Sequence, residues 1–154
     1  MLSVIYVLAI CAANFSVHVF GPAVTPVNAF LFIGLDFVVR DKLHEMIGVR
    51  KILALIIIAG IISYAINPAT DMIAIASVSA FAFAALTDAC VYQALIRRKW
   101  FVKSNASNVA SSAVDSALFP LIAFGAFMPW VVGGQFIAKV FGGAVWSYLL
   151  RNVK

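Results

Sequence analysis

Six long apolar runs fill the chain, at about 2–20, 24–39, 52–66, 72–96, 106–128 and 130–150, with only short polar, glycine or proline breaks between them. Such runs approach the roughly 20 residues that an α-helix needs to cross hydrocarbon. They leave no room for a separate soluble domain. Composition points the same way: of 154 residues, 64% are hydrophobic and 11% charged, too little polar surface to coat a water-soluble sphere. The sequence therefore predicts an all-α integral membrane protein, a single six-helix transmembrane bundle over 1–154. The start Met1-Leu2-Ser3-Val4 has no basic n-region, and no small-residue cleavage signal follows, so the first helix is expected to be permanent.

The second and third runs are short. They reach spanning length only if Arg40, Arg50 and Lys51 snorkel to the headgroups, with a re-entrant segment as the alternative. The charges test this division, because basic residues collect in alternate, cytoplasmic loops of membrane proteins. Arg40, Lys42, Arg50 and Lys51 follow the second run; Arg97, Arg98, Lys99 and Lys103 follow the fourth; Arg151 and Lys154 follow the sixth. The loops after runs one, three and five carry no Lys or Arg, and only Lys139 lies inside a run. Both termini are thus expected in the cytoplasm, in a multi-pass protein of the cell (inner) membrane. The net charge of +5 is then a matter of topology and anionic lipid, and nucleic acid is not an expected partner. Cys11 and Cys90 lie in apolar runs and read as buried free thiols, with neither a disulfide framework nor a metal spacing.

A polar group in hydrocarbon is costly unless partnered, so the polar residues within the runs are where function is sought. Asp36 lies one turn before Arg40, where an i,i+4 ion pair can anchor the helix end or leave Asp36 to a substrate. Asp88 sits about 12 Å inside the fourth run, too deep to snorkel, on a stripe with Ser77, Phe81 and Ala84 that suits a cavity wall or helix packing. In the fifth run Asn105, Asn108, Ser112 and Asp115 share one face, which Phe119 continues. Asp115 falls about 18 Å from Lys103, near the midplane, at a depth where a seam of helix-bonding amides explains it poorly. Gln135 and Lys139 are one turn apart in the sixth run, and the short break at Pro129 makes runs five and six antiparallel neighbours. Lys139 and Asp115 therefore come to similar depth. Gly134, Ala138 and Gly142 form a small-residue seam that reads as close packing. Asn14 in the first run is either a helix-bonding residue or a pocket amide.

An acidic, amide and lysine set converging at mid-depth matches the midplane site of a small transporter. There is no Gly-x-Ser-x-Gly, no His-Glu-x-x-His and no Gly-rich phosphate loop, and His18 and His44 lie toward opposite ends. An enzyme is not expected, and no cofactor or metal is implied.

Four segments in order resemble a known family: Phe32-Ile33-Gly34-Leu35-Asp36-Phe37-Val38-Val39-Arg40; Asp88 before Arg97-Arg98-Lys99-Trp100; Val114-Asp115-Ser116-Ala117-Leu118-Phe119 leading to Ile122-Ala123-Phe124; and Phe136-Ile137-Ala138-Lys139-Val140. They are similar to the queuosine precursor transporter family, also called the vitamin uptake transporter family. Asn14 resembles an intramembrane Asn of the first family helix, so the likeness runs from there to about Val140. Ser112 departs from the pattern, standing where many members carry an amide. The resemblance implies a six-helix carrier for 7-deazaguanines such as 7-cyano-7-deazaguanine. It also implies a fold similar to the substrate-binding subunits of energy-coupling-factor transporters, leaving open an energy-coupling partner or a homo-oligomer.

The chemistry of such a base fits these residues. A guanine-like ring presents N–H donors on one edge and acceptors at its carbonyl and nitrile. Asp115 or Asp88 can accept from the ring, Asn14, Asn108 or Gln135 can complete the edge, Phe81 or Phe119 can stack, and Lys139 can neutralise an Asp in the empty state. Two rival readings stand beside the carrier. One is a non-transporting scaffold in which these residues only hold helices together. The other is an ion- or proton-translocating protein that uses Asp88, Asp115 and Lys139 as relay groups. Residue-dependent solute uptake excludes the first, and proton flux without solute favours the second.

Overall fold

Wherever the chain is apolar enough to leave the backbone no partner but itself, it is helical. The computed structural model describes residues 1–66, 68 and 71–150; within these, six helical segments run α1 (Leu2–Phe20), α2 (Pro22–Ile47), α3 (Val49–Ile66), α4 (Asp71–Ala94), α5 (Trp100–Phe124) and α6 (Pro129–Leu150). Asn67, Arg151 and Lys154, which enter the expected turn and charge pattern, lie outside the described residues. Four helices, α1 to α4, are long and apolar enough to cross a membrane. In α5 and α6 the length is there, 25 and 22 residues, but serine, asparagine, glycine and lysine dilute the apolar character.

Several boundaries differ from the sequence reading. The second run was expected to stop at Val39 because Arg40 and Asp41 follow, yet α2 continues to Ile47 and is 26 residues long. Arg40 and Asp41 are not at a headgroup boundary but fully buried in the bundle. The snorkelling expected of Arg40 does not occur. Helix α5 likewise starts six residues early, at Trp100, drawing Lys103, Ser104 and Asn105 into the helix. In both cases tertiary partners replace the water that a charged residue otherwise needs.

Local chemistry sets the helix ends. Gly48 and Gly125, with φ of +76° and +66°, close α2 and α5 in a conformation that costs a residue with a Cβ. Proline opens α2 and α6, where a missing N–H leaves no bond unmade. Helix α2 is not regular: a 3-10 turn (Pro22–Val24) and a π-turn (Ala29–Ile33) precede its straight part (Gly34–Ile47). Pro120 lies buried inside α5 and deprives the Ser116 carbonyl of its helical N–H.

Packing buries one stripe of each helix and turns apolar side chains outward. Val4, Leu8, Phe15 and Val19 of α1 and Ile57, Ile58, Ile61 and Ile62 of α3 are exposed. Hydrocarbon is the surrounding in which such outward faces carry no penalty. The apolar core joins Tyr6 and Ile10 of α1, Phe37 and Leu43 of α2, Ile52 and Ile56 of α3, and Phe81 and Ala85 of α4. Helix α5 packs chiefly between α4 and α6, and α6 in turn lies on α2. The α2–α6 contact is close: a Cβ at Gly34 would come within 2.8 Å of the Gly142 backbone, and one at Gly142 within 2.5 Å of the Phe30 carbonyl oxygen. The small-residue seam of α6 therefore does pack a helix, with Gly34 as its partner. Of the two thiols, Cys11 is buried as expected, whereas Cys90 is exposed on the outer face of α4.

Candidate functional site

The interior of the bundle is unusually polar. Its buried side chains include Asn14, Asn28, Asp36, Arg40, Asp41, Ser77, Asp88, Asn108, Asp115, Gln135 and Lys139, with five serines of α5. They sort into two groups along the bundle.

The first group surrounds a cavity of about 30 Å³, lined by Asn14 and Val17 (α1), Thr25, Asn28 and Ile33 (α2), Ser77 and Phe81 (α4), Asp115 and Phe119 (α5), and Gln135 and Lys139 (α6). Lys139 is its hub. Its ammonium is 2.6 Å from Asp115 Oδ2 and donates to Gln135 Oε1 at 2.9 Å and to Ser116 Oγ at 3.0 Å. The depth argument thus brings Asp115 and Lys139 into direct contact. Asp115 Oδ1 and Gln135 Nε2, an acceptor and a donor, are left without protein partners. On the facing side Asn14 accepts from Ser77 at 2.6 Å and donates to Ser63 at 3.1 Å, so it bonds helices and lines the cavity at once. Asn28 donates to the Ala13 carbonyl at 3.2 Å and to Ser16 at 2.5 Å. Phe81 and Phe119 supply the aromatic walls.

The second group lies nearer the end where α2 and α4 stop. Arg40 Nη2 is 3.0 Å from Asp88 Oδ1 and donates to Ser111 Oγ at 3.0 Å, and the guanidinium lies over the Phe37 ring at 4.3 Å. Asp41 accepts from Ser104, and from Asn108 Nδ2 at 3.4 Å. At the rim Glu45 accepts from Tyr92 at 2.6 Å and from Lys103 at 2.9 Å. These contacts tie α2, α4 and α5 together below the cavity.

Of the residues singled out by sequence, Asn14, Phe81, Asp115, Phe119, Gln135 and Lys139 line the cavity. Asp36, Asp88, Asn108 and Ser112 are buried but are not among its lining residues. The i,i+4 pair of Asp36 with Arg40 does not form; Arg40 takes Asp88 from another helix instead. Asn105 leaves the expected face, since its side chain donates back to the Phe101 carbonyl of its own helix at 2.8 Å. Sequence reasoning missed Thr25 and Asn28, at the start of the second run beside Pro22 and Pro26. It also missed Asp41, counted as part of a charged loop. The serine stripe 104, 107, 111 of α5 carried a usable signal, the 3.6-residue period continued through the predicted loop.

No curated protein and no solved structure matches the chain. A family model described as "Putative vitamin uptake transporter" matches residues 62–151, more than half of the chain. The match spans α4, α5 and α6 and so includes Asp88, Asp115 and Lys139. With that match over these helices, the chain belongs to the vitamin uptake transporter family.

Proposed function

We propose that this membrane transporter imports a 7-deazaguanine precursor of queuosine, such as 7-cyano-7-deazaguanine, into the cytoplasm. In this reading all six helices span the cell membrane and both termini face the cytoplasm. The observation that carries the reading is the cavity around Lys139: an ammonium in contact with a carboxylate and a primary amide, in a cavity that two phenyl rings and two asparagines also line. Asp115 Oδ1 accepts from the ring N–H edge, Gln135 donates to the ring carbonyl, and Phe81 and Phe119 hold the ring plane. When the base engages Asp115, Lys139 keeps Gln135 and Ser116 as partners, so no bare ammonium is left in low dielectric.

The cavity of about 30 Å³ has room for only a water or two. Ligand pockets are usually about 300 Å³ or more. A base therefore needs this cavity to widen, by parting of the helices that line it. The proline-flanked, π-turned start of α2 is the segment suited to that movement, because it interrupts the regular α-helical ladder, as π-turns frequently do at functional sites. The test is uptake of labelled 7-cyano-7-deazaguanine by cells unable to make it. Expression of this chain should confer uptake; wild-type protein present in the membrane without uptake would reject the substrate.

A further inference from the structure

The buried charges of the bundle do not balance. Four carboxyl groups, Asp36, Asp41, Asp88 and Asp115, are each no more than 2% exposed, against two equally buried cations, Arg40 and Lys139. Lys103 does not enter this balance, since it is engaged by Glu45 at the rim. Arg40 is held by Asp88 and Lys139 by Asp115. Asp41 accepts from Ser104 and Asn108. Asp36 has nothing: neither carboxyl oxygen has a hydrogen-bond partner. An ionised carboxylate buried without donors is among the least tolerable groups in a low-dielectric interior.

The groups that face Asp36 are Tyr6 from α1, Arg40 on its own helix and Asp115 from α5, with Asp88 of α4 acting on the same Tyr6 hydroxyl. Helix α6 presents Lys139, already bound to Asp115, and the basic residues Arg50 and Lys51 of α3 are exposed. The Tyr6 hydroxyl, fully buried, also lacks a partner. Asp36 stands one turn from Ile33 of the cavity wall and one turn from Arg40 of the second group. It is placed to sense both.

We propose that Asp36 is a proton-binding site, occupied in the closed conformation, through which movement of the substrate is coupled to a proton gradient. The proposal rests on the transport reading. In the closed state the group is a neutral acid. When opening of the bundle toward the cytoplasm draws Arg40 away from Asp88, that cation becomes available to Asp36 on its own helix. Its O–H bond then breaks, the proton leaves to cytoplasmic water, and the carboxylate is held by that cation. Return through the closed state to the outward-facing one requires Asp36 to take up a proton from the external side, so one proton enters the cytoplasm with each cycle.

Two readouts test this. Infrared spectra of the purified protein at neutral pH should contain the high-frequency carbonyl stretch of an acid without hydrogen bonds. That band should vanish in Asp36→Asn and persist in Asp41→Asn. Because the neutral amide keeps the charge balance, Asp36→Asn should accumulate as the wild type does, with Asp36→Ser as a second neutral replacement. In cells, wild-type uptake should rise several-fold as external pH falls from about 8 to 6 and collapse with a protonophore. Asp36→Asn should lose both responses while still exchanging labelled for unlabelled base. Absence of the band from the wild type, its persistence in both neutral variants, or failure of both to accumulate would overturn the proposal. The two readings also fail separately. A wild type that takes up no deazaguanine at any pH defeats the substrate assignment, whereas uptake indifferent to pH, or equally responsive in Asp36→Asn, defeats the proton site alone.

Discussion

Lys139 joins two of the helices covered by the family match, α5 and α6, at the cavity lined by Asp115 and Gln135, and its environment makes its removal diagnostic. Replacing it with Met leaves Asp115 buried without its cation, a change that costs about 3–5 kcal/mol when one partner of a buried pair is lost. Lys139→Met should therefore accumulate poorly, and adding Asp115→Asn should restore much of the protein level without restoring uptake, as quantitative blotting and uptake on the same membranes would read. Defects that simply add would contradict the pairing. The same reasoning applies to Arg40 and Asp88, 3.0 Å apart: Arg40→Met should be rescued in protein level by Asp88→Asn but not by Asp36→Asn, and the reverse pattern would restore the local pairing that spacing suggests. Depth alone made the Asp115–Lys139 contact legible, because the short break at Pro129 forces adjacent antiparallel helices. The partner of Arg40 was not legible. An i,i+4 acid offers itself in sequence, but Arg40 reaches across the bundle from α2 to Asp88 on α4, which no single-helix pattern encodes.

At the scale of the element, the apolar runs revealed that six helices exist, and their ends were misplaced wherever charged residues turn inward. A run ends in sequence at the first arginine; a helix ends where its backbone or a glycine makes it end. Arg40, Asp41, Lys103 and Ser104 were all assigned to loops by polarity and all lie buried in helices. The close approach of α2 and α6 gives a prediction independent of transport. Gly34→Ala and Gly142→Ala each place a methyl against backbone of the other helix, which cannot rotate aside. Each should cost about 1–3 kcal/mol of overpacking, read as a lower midpoint of thermal unfolding in detergent. Gly133→Ala meets nothing within 4 Å and should leave the midpoint unchanged or slightly raised. Equal tolerance of all three would mean that α2 and α6 stand further apart than described.

For the whole molecule, the outward apolar faces and the inward polar stripes make a bundle that is inside-out relative to a soluble one, and that inversion was readable from hydropathy. Orientation rests on the basic residues. With Arg40 buried, the case stands on Lys42, Arg50, Lys51, Arg97, Arg98 and Lys99, all toward one end. Reporter fusions should place both termini in the cytoplasm, and an external C-terminus would require an odd number of crossings. What hydropathy does not encode is which polar residues share a cavity: Asn28 and Thr25 join it through the irregular start of α2. The central claim is that Asp115 reads the N–H edge of a guanine-like base in that cavity. Competition against labelled 7-cyano-7-deazaguanine uptake tests it most directly. Guanine-type 7-deazapurines should compete at least about tenfold better than adenine-type ones, since a mismatched edge leaves a buried acceptor unpaired. Asp115→Asn should lose most uptake per molecule of protein in the membrane. Equal competition by both classes of base, or full uptake by Asp115→Asn, would contradict the account.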